Sequence, residues 1–75
     1  MARQDIAAAV EEVLVAMGVE SVIVDRSRAH PRVLWSDRGG TLRGIVTVPG
    51  TASDRRSLAN NVAMARRLVR LARGE

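Results

Sequence analysis

Apolar and polar residues follow a helical period at the start of this chain. Over residues 4–17, apolar side chains recur every three or four positions with acidic residues between them, as in an amphipathic helix that buries one face. The apolar stripe consists of Ile6, Ala9, Val10, Val13, Leu14 and Met17. Gly18 follows, and glycine accepts the left-handed conformation that ends many helices. We therefore predict a first helix over residues 4–17.

Three short segments rich in β-branched residues come next and indicate strands over residues 21–26, 32–36 and 42–48. Pro31 separates the first two, because proline has no amide hydrogen to donate to a sheet. The run Asp37-Arg38-Gly39-Gly40 predicts a turn, with two glycines free to take positive φ. Residues 32–48 are therefore predicted to form a β-hairpin.

Alternation within the hairpin assigns residues to faces of the sheet. Val33 and Trp35 are expected on the face that packs in the core, with Arg32 and Leu34 on the other. In the alternative, Leu34 faces the helices and Trp35 is an exposed contact residue. In the third strand, we expect Ile45 to alternate against Arg43 and Thr47.

A second helical period follows, with Ser53 as the expected N-cap, Asp54 in the first turn and Gly74 as the stop. Its apolar positions fall on one face and are Leu58, Val62, Ala65, Leu68, Val69 and Ala72. The order α-β-β-β-α predicts one α+β domain over residues 1–75, with two helices on one face of a three-stranded antiparallel sheet. The residues predicted to join the helices to the sheet are Ile6, Val10, Val13, Leu58, Val62 and Val69.

Composition excludes several classes of protein. The chain of 75 residues has no Cys and one His, so we expect neither disulfides nor a zinc site, and no cofactor. Trp35 is the single aromatic residue, which argues against a binder that stacks bases on aromatic platforms. No apolar run reaches a membrane span and no signal peptide is apparent, so a soluble, cytoplasmic protein is expected. The small core makes a homodimer a candidate assembly.

Charge is divided between the two parts of the chain, and all of the positive charge is arginine. Residues 1–25 have one Arg and five acidic residues, a net charge of 1 − 5 = −4. Residues 26–75 have eleven Arg and three acidic residues, a net charge of 11 − 3 = +8. Because guanidinium groups bind phosphate and carboxylate in a bidentate manner, this distribution predicts a polyanionic partner.

The second helix concentrates this charge. Arg55, Arg56, Arg66, Arg67, Arg70 and Arg73 gather opposite or beside its apolar stripe, and a face of one sign is unusual for a surface that serves only solubility. The alternative is an ordinary solvated face. The main candidates for nucleic-acid binding lie within an arc of about 100°, and two arginines on the strands are secondary candidates. These six residues are Arg56, Arg66, Arg67 and Arg70, with Arg32 and Arg43.

Three other polar side chains are of interest. His30 is the single histidine, a residue type often used as general acid or base, but a lone His is more often structural or exposed than catalytic. Asp25 and Asp37 are its candidate neighbours across strands. Asn61 is a poor helix former near the edge of the apolar stripe, so we expect it either to bond to the sheet or loops or to mark a contact surface.

The segment from His30 to Trp35, the Gly39-Gly40 turn and the run from Ile45 to Pro49 together resemble the core of the HicA-type mRNA interferase toxins. The resemblance implies a double-stranded-RNA-binding-like fold and an antitoxin-like partner. It also implies that His30 is the position that would act as general base on an RNA 2′-hydroxyl. That family usually carries Gly-Ser before this His, where this chain has Arg28 and Ala29. The segment 48–56, with Asn60 and the helix that follows, also resembles small bacterial and phage proteins of the same layout.

Three functions are consistent with these observations. The leading hypothesis is a nucleic-acid-binding module, with RNA preferred because of the resemblance. The second is a ribonuclease toxin that depends on His30. The third is an interaction protein, of phage or mobile-element origin, whose arginines bind an acidic protein surface or occupy a nucleic-acid site on a host complex.

Overall fold

The computed structural model describes residues 5–49 and 55–75. The elements are α1 (Ile6–Ala16), β1 (Ser21–Asp25), β2 (Arg32–Asp37), a 3-10 turn (Arg38–Gly40), β3 (Leu42–Thr47) and α2 (Arg55–Ala72). The predicted α-β-β-β-α order is confirmed, and each strand agrees with its predicted range to within one residue. The cap predicted at Ser53 and Asp54 lies outside the described residues.

Helix α1 begins at a side-chain cap and buries part of the predicted stripe, together with Ala7. The carboxylate of Asp5 accepts a hydrogen bond from the amide of Ala8 at 3.1 Å, which satisfies one of the free N–H groups at the helix start. Ile6, Val10 and Leu14 are buried. Val13, which was predicted in the core, is only half-buried, because it lies at the margin of the stripe.

The strands form one antiparallel sheet in the order β1-β2-β3. Val33 on the central strand pairs with Val24 and Val46, and Leu34 pairs with Ile23 and Ile45. Val24, Val33, Val46 and Trp35 lie on the face toward the helices, which we call the inner face. This position was predicted for Val33 and Trp35. Ile23, Leu34 and Ile45 lie on the opposite face, which we call the outer face.

One prediction for β3 is wrong. Ile45 does not alternate against Arg43 and Thr47, because residues two apart on a strand share a face. All three are exposed, and Val46 is the β3 residue that is buried.

The β2–β3 turn has the backbone that its glycines predict. Gly39 and Gly40 take φ values of 66° and 87°, and Arg38 before them takes 51°. Glycine has no Cβ to oppose such values. The turn sets the register in which Trp35 lies opposite Gly44, so the indole fills the space that a side chain at residue 44 would need.

Both helices cover the inner face of the sheet, α1 over β1 and β2 and α2 over β3, and they also pack against each other. Ala65 and Val69 of α2 are fully buried, whereas Leu58 and Val62 are half-buried. Val62 was predicted in the core and is therefore, like Val13, at its margin. The buried residues Ile6, Ala7, Val10, Leu14, Val33, Trp35, Val46, Val48, Ala65 and Val69 form one cluster. Because Ala65 and Val69 fix the buried side of α2, its opposite side faces solvent.

Candidate nucleic-acid interface

Helix α2 displays four exposed arginines, Arg56, Arg66, Arg67 and Arg70, which we call the arginine surface. At 100° per residue they span an arc of about 100°, opposite Ala65 and Val69. Their Cα atoms extend along the helix for about 21 Å, since fourteen residues separate the first from the last at 1.5 Å each. The four residues predicted as main candidates are therefore together on one side of one helix.

The arginine surface has no acidic residue on its own helix. The sequence of α2, from Arg55 to Ala72, contains no Asp or Glu. Among the described residues, no carboxylate lies within ion-pair distance of Arg66, Arg67 or Arg70. Their mutual repulsion is thus not relieved by an ion pair in this structure, and an external anion would relieve it.

Arg73, predicted beside this face, has a different role. Its guanidinium binds the carboxylate of Asp37, with Nη2 at 2.9 Å and Nε at 3.0 Å, and Nη1 donates to the carbonyl of Met17 at 3.1 Å. The side chains of Arg73 and Asp37 are only 19% and 10% exposed. Hydrogen bonding from Arg73 lowers the pKa of Asp37, so the carboxylate stays charged. Arg73 therefore holds the end of α2 to the β2–β3 hairpin and does not belong to the arginine surface.

The two secondary candidates, Arg32 and Arg43, lie on the outer face of the sheet and are not grouped with the arginine surface. Arg32 donates to Asp25 at 3.1 Å, and the hydroxyl and amide of Ser27 bind the same carboxylate. These hydrogen bonds, those from Ser27 first, lower the pKa of Asp25. Arg43 is exposed and its Nε donates to the carbonyl of Gly40 at 2.9 Å. Because α2 packs on the inner face, one ligand lying along α2 would leave both arginines on the far side of the sheet.

Two asparagines lie in the middle of α2. Asn60 is exposed and borders a shallow groove with Ala63, Met64 and Arg67. An amide that can donate and accept hydrogen bonds therefore lies beside the arginine surface. Asn61 donates to the carbonyl of Ser57 in its own helix at 2.7 Å. Of the two alternatives expected for Asn61, a bond to the sheet or loops is wrong, since the nearer carbonyl one turn back takes its amide. The other, a contact surface, stays a prediction.

His30 lies in the exposed loop between β1 and β2. No hydrogen bond or ion pair joins its imidazole to another of the described residues. Its two candidate partners are engaged elsewhere, Asp25 with Ser27 and Arg32, and Asp37 with Arg73. The structure therefore brings no carboxylate to His30 to orient it as a general base.

Within residues 5–49 and 55–75, no cluster of three or more acidic or histidine side chains is placed to hold a metal ion. No helix of the same residues is both long and apolar enough to cross a membrane.

No protein-family model, curated protein or solved structure matches this chain. The resemblance to the HicA-type toxins therefore stays a prediction.

Proposed function

We propose that this protein binds the phosphate backbone of a nucleic acid through the arginine surface of α2. The observation that carries the proposal is the different environment of arginines within one small domain. Arg26, Arg32 and Arg73 each form an ion pair with an aspartate, whereas three members of the arginine surface have no carboxylate partner among the described residues. An exposed row of one sign, with no acidic residue on its helix, is the electrostatic pattern of a polyanion-binding site.

Phosphate is the ligand that fits this geometry best. The planar guanidinium fork binds phosphate oxygens in pairs. A length of about 21 Å spans about six phosphates of one strand, at roughly 3.4 Å per phosphate along a B-form axis, with Arg56 at one end and Arg66, Arg67 and Arg70 toward the other. Such contacts bind the backbone without reading the bases, so affinity is expected to vary little with sequence.

Duplex RNA is the preferred ligand within this proposal. The resemblance described above implies a fold that recognises double-stranded RNA, and such proteins read helix shape, phosphates and 2′-hydroxyls. The single Trp is buried in the core, so no exposed aromatic side chain is available to stack unpaired bases. Duplex DNA is the comparison ligand, since the phosphate contacts alone would bind both.

The proposal is tested by titrating fluorescent duplex RNA and duplex DNA with wild type, Arg67→Ala and Arg70→Ala at several salt concentrations. Each substitution removes one phosphate contact. We expect weaker binding for every duplex sequence and a salt slope reduced by about one unit per substitution. Circular dichroism of each variant checks that the helices are retained.

Arg26→Ala is the matched control, because it removes one positive charge from an exposed arginine that is paired with Asp5 at 3.0 Å. It should leave the salt slope unchanged, and so should Arg43→Ala on the outer face. Binding that is absent at low salt or independent of salt would contradict the proposal, as would equal losses in all four variants. An acidic protein surface would then be the better partner for the arginines.

A further inference from the structure

The outer face of the sheet has an apolar row that no described part of the chain covers. Ile23, Leu34 and Ile45 are paired across the three strands, so they form a continuous line perpendicular to the strands. Ile23 and Ile45 keep 62% and 52% of their surface exposed. Contiguous exposed apolar residues with a polar rim are typical of an interaction surface.

Opposite charges lie at two corners of this face. Asp25 ends the outer-face residues of β1, next to Arg32, and Arg43 pairs with Ser36 at the other end of the sheet on β3. Since β1 and β3 are the two edges, Asp25 and Arg43 are diagonally opposite, with Leu34 between them. Along one diagonal, the outer face therefore has the Asp25 carboxylate, which Arg32 already binds, then an apolar centre and then the exposed Arg43.

We infer that this face is a self-association surface, on which a second copy of the chain docks with the same face. A two-fold axis in the plane of contact, passing over Leu34, can exchange the two ends of the diagonal. It places Arg43 of each protomer on the partner's Asp25 and gives two identical charge contacts around an apolar centre. The strands of the two sheets then cross at a steep angle, within the orthogonal class of sheet packing. Such reciprocity is what a two-fold dimer requires, and it favours a second copy over an unrelated partner.

The shape of the surface is consistent with the same arrangement. A shallow concavity lies beside the apolar row, where the small side chains of Ser21 and Ser36 stand next to Ile23 and Leu34. The rotation that pairs Arg43 with the partner's Asp25 also brings the partner's Ile23 toward this concavity. An exposed isoleucine would thus be received where the strands carry serine.

The size of the sheet limits the strength of the dimer. Three strands about 4.8 Å apart and five or six residues long offer a few hundred Å² per protomer. That is well below the ~800 Å² per partner of a standard interface. We therefore expect a weak dimer, populated at high protein concentration and dissociated at low concentration.

Sedimentation velocity over a wide concentration range tests the inference. The wild type should shift from the mass of one chain toward that of two as concentration rises. Ile23→Glu should raise the dimer dissociation constant about tenfold or more, because it places two buried carboxylates at the contact. Val15→Glu is the matched control, since Val15 on α1 is also 62% exposed but lies away from the sheet. This variant should dimerise like the wild type.

A charge exchange tests the orientation of the two copies. Arg43→Asp and Asp25→Arg should each weaken the dimer, and the double variant should recover most of the loss, because the contact pairs these two residues across the two-fold axis. Circular dichroism separates a weakened dimer from an unfolded chain. A wild type that stays monomeric at its highest soluble concentration would overturn the inference. Equal behaviour of Ile23→Glu and Val15→Glu would do so too, as would a double variant no better than the single ones.

Discussion

The two faces of the sheet have similar side chains but different surroundings. Each has apolar residues on more than one strand and one Asp–Arg ion pair. On the inner face Val33 is fully buried by the helices, whereas Ile23 on the outer face is 62% exposed. The Asp37–Arg73 pair on the inner side is correspondingly less exposed than the Asp25–Arg32 pair on the outer side. Coverage by the helices therefore decides how much the residues of a face contribute to the stability of the fold, because burial, and not residue type, removes apolar surface from water.

The largest difference between the faces is expected at neighbouring residues of β2. Trp35→Ala should lower the free energy of unfolding by about 3–5 kcal/mol, because it empties the centre of a small core. A domain of this size has only about 4–11 kcal/mol in total, so the variant should lose a large share of its stability. Urea denaturation followed by circular dichroism measures the loss.

Leu34→Ala on the outer face is the control for this substitution. Leu34 is half-buried and lies outside the core cluster, so we expect a loss below about 1 kcal/mol in dilute protein. A loss from Leu34→Ala as large as that from Trp35→Ala would mean that both faces contribute equally, and the comparison would fail.

Gly44 lies on β3 where the indole of Trp35 crowds the inner face of the sheet. The Cβ of an alanine there would lie 2.6 Å from Cε2 and 2.8 Å from Cζ2 of Trp35, closer than van der Waals contact allows. Gly44→Ala should therefore destabilise the domain by about 1–3 kcal/mol, because the indole must move within a packed core. The midpoint of urea unfolding gives the value.

Trp35→Phe provides the test of cause for Gly44→Ala. In that background the smaller ring leaves room for the new methyl group, so the cost of Gly44→Ala should fall. An unchanged cost would show that the loss arises from the strand backbone and not from the contact with the indole.

The ion pair between Asp37 and Arg73 should make the free energy of unfolding depend on pH in the acid range. Hydrogen bonding from Arg73 lowers the pKa of Asp37 in the folded protein below its ordinary value of 3.8. The unfolded chain therefore binds this proton more readily, and the stabilisation is complete above the ordinary pKa and lost as pH falls through the folded pKa. Asp5 and Asp25, whose pKa values are also lowered, add to the same loss.

Asp37→Asn removes the contribution of this one group. Unfolding midpoints measured between about pH 7 and pH 2 should fall less steeply with acid in this variant than in the wild type. Arg73→Gln should flatten the profile similarly, because it removes the cause of the lowered pKa. Profiles as steep as that of the wild type in both variants would contradict the assignment.

The smallest effect is expected at His30, which lies in a loop outside both faces. His30→Ala should leave the unfolding midpoint equal to that of the wild type within experimental error. The side chain is exposed, and no hydrogen bond joins it to another of the described residues. We also expect neither the wild type nor His30→Ala to cleave messenger RNA, since no carboxylate orients the imidazole of His30. RNA cleavage by the wild type that His30→Ala abolishes would favour the ribonuclease hypothesis instead.

Local patterns were sufficient to predict the elements and the four residues of the arginine surface. The period of α1, the β-branched strands and the glycines of the turn each depend on residues close in sequence, and all were confirmed. The same period placed Arg56, Arg66, Arg67 and Arg70 on one side of α2. The facing of Trp35 and Gly44 could also have been predicted, because a hairpin closed at residues 37 and 42 fixes that pair.

Contacts between distant residues could not be predicted. Arg73 lies only about 20° in helical phase from Arg66, and the contact that separates it from the arginine surface is with a carboxylate 36 residues earlier in the chain. Arg32 and Arg43 are basic like the others, but the side of the sheet on which they lie depends on where the helices pack. The outer apolar row needs the register of three strands at once, and no single segment contains it.

The buried position of Trp35 decides which optical signals this protein can give. With no Tyr or Phe in the chain, the single indole supplies all of its aromatic absorbance and emission. That ring is 3% exposed, lies against Gly44, and its N–H has no hydrogen-bond partner among the described residues. Its emission should therefore be blue-shifted and insensitive to aqueous quenchers in the folded state. Intrinsic fluorescence should follow unfolding closely yet scarcely register a ligand on α2 or a second protomer on the outer face, so a fluorescence assay of either would need an attached label.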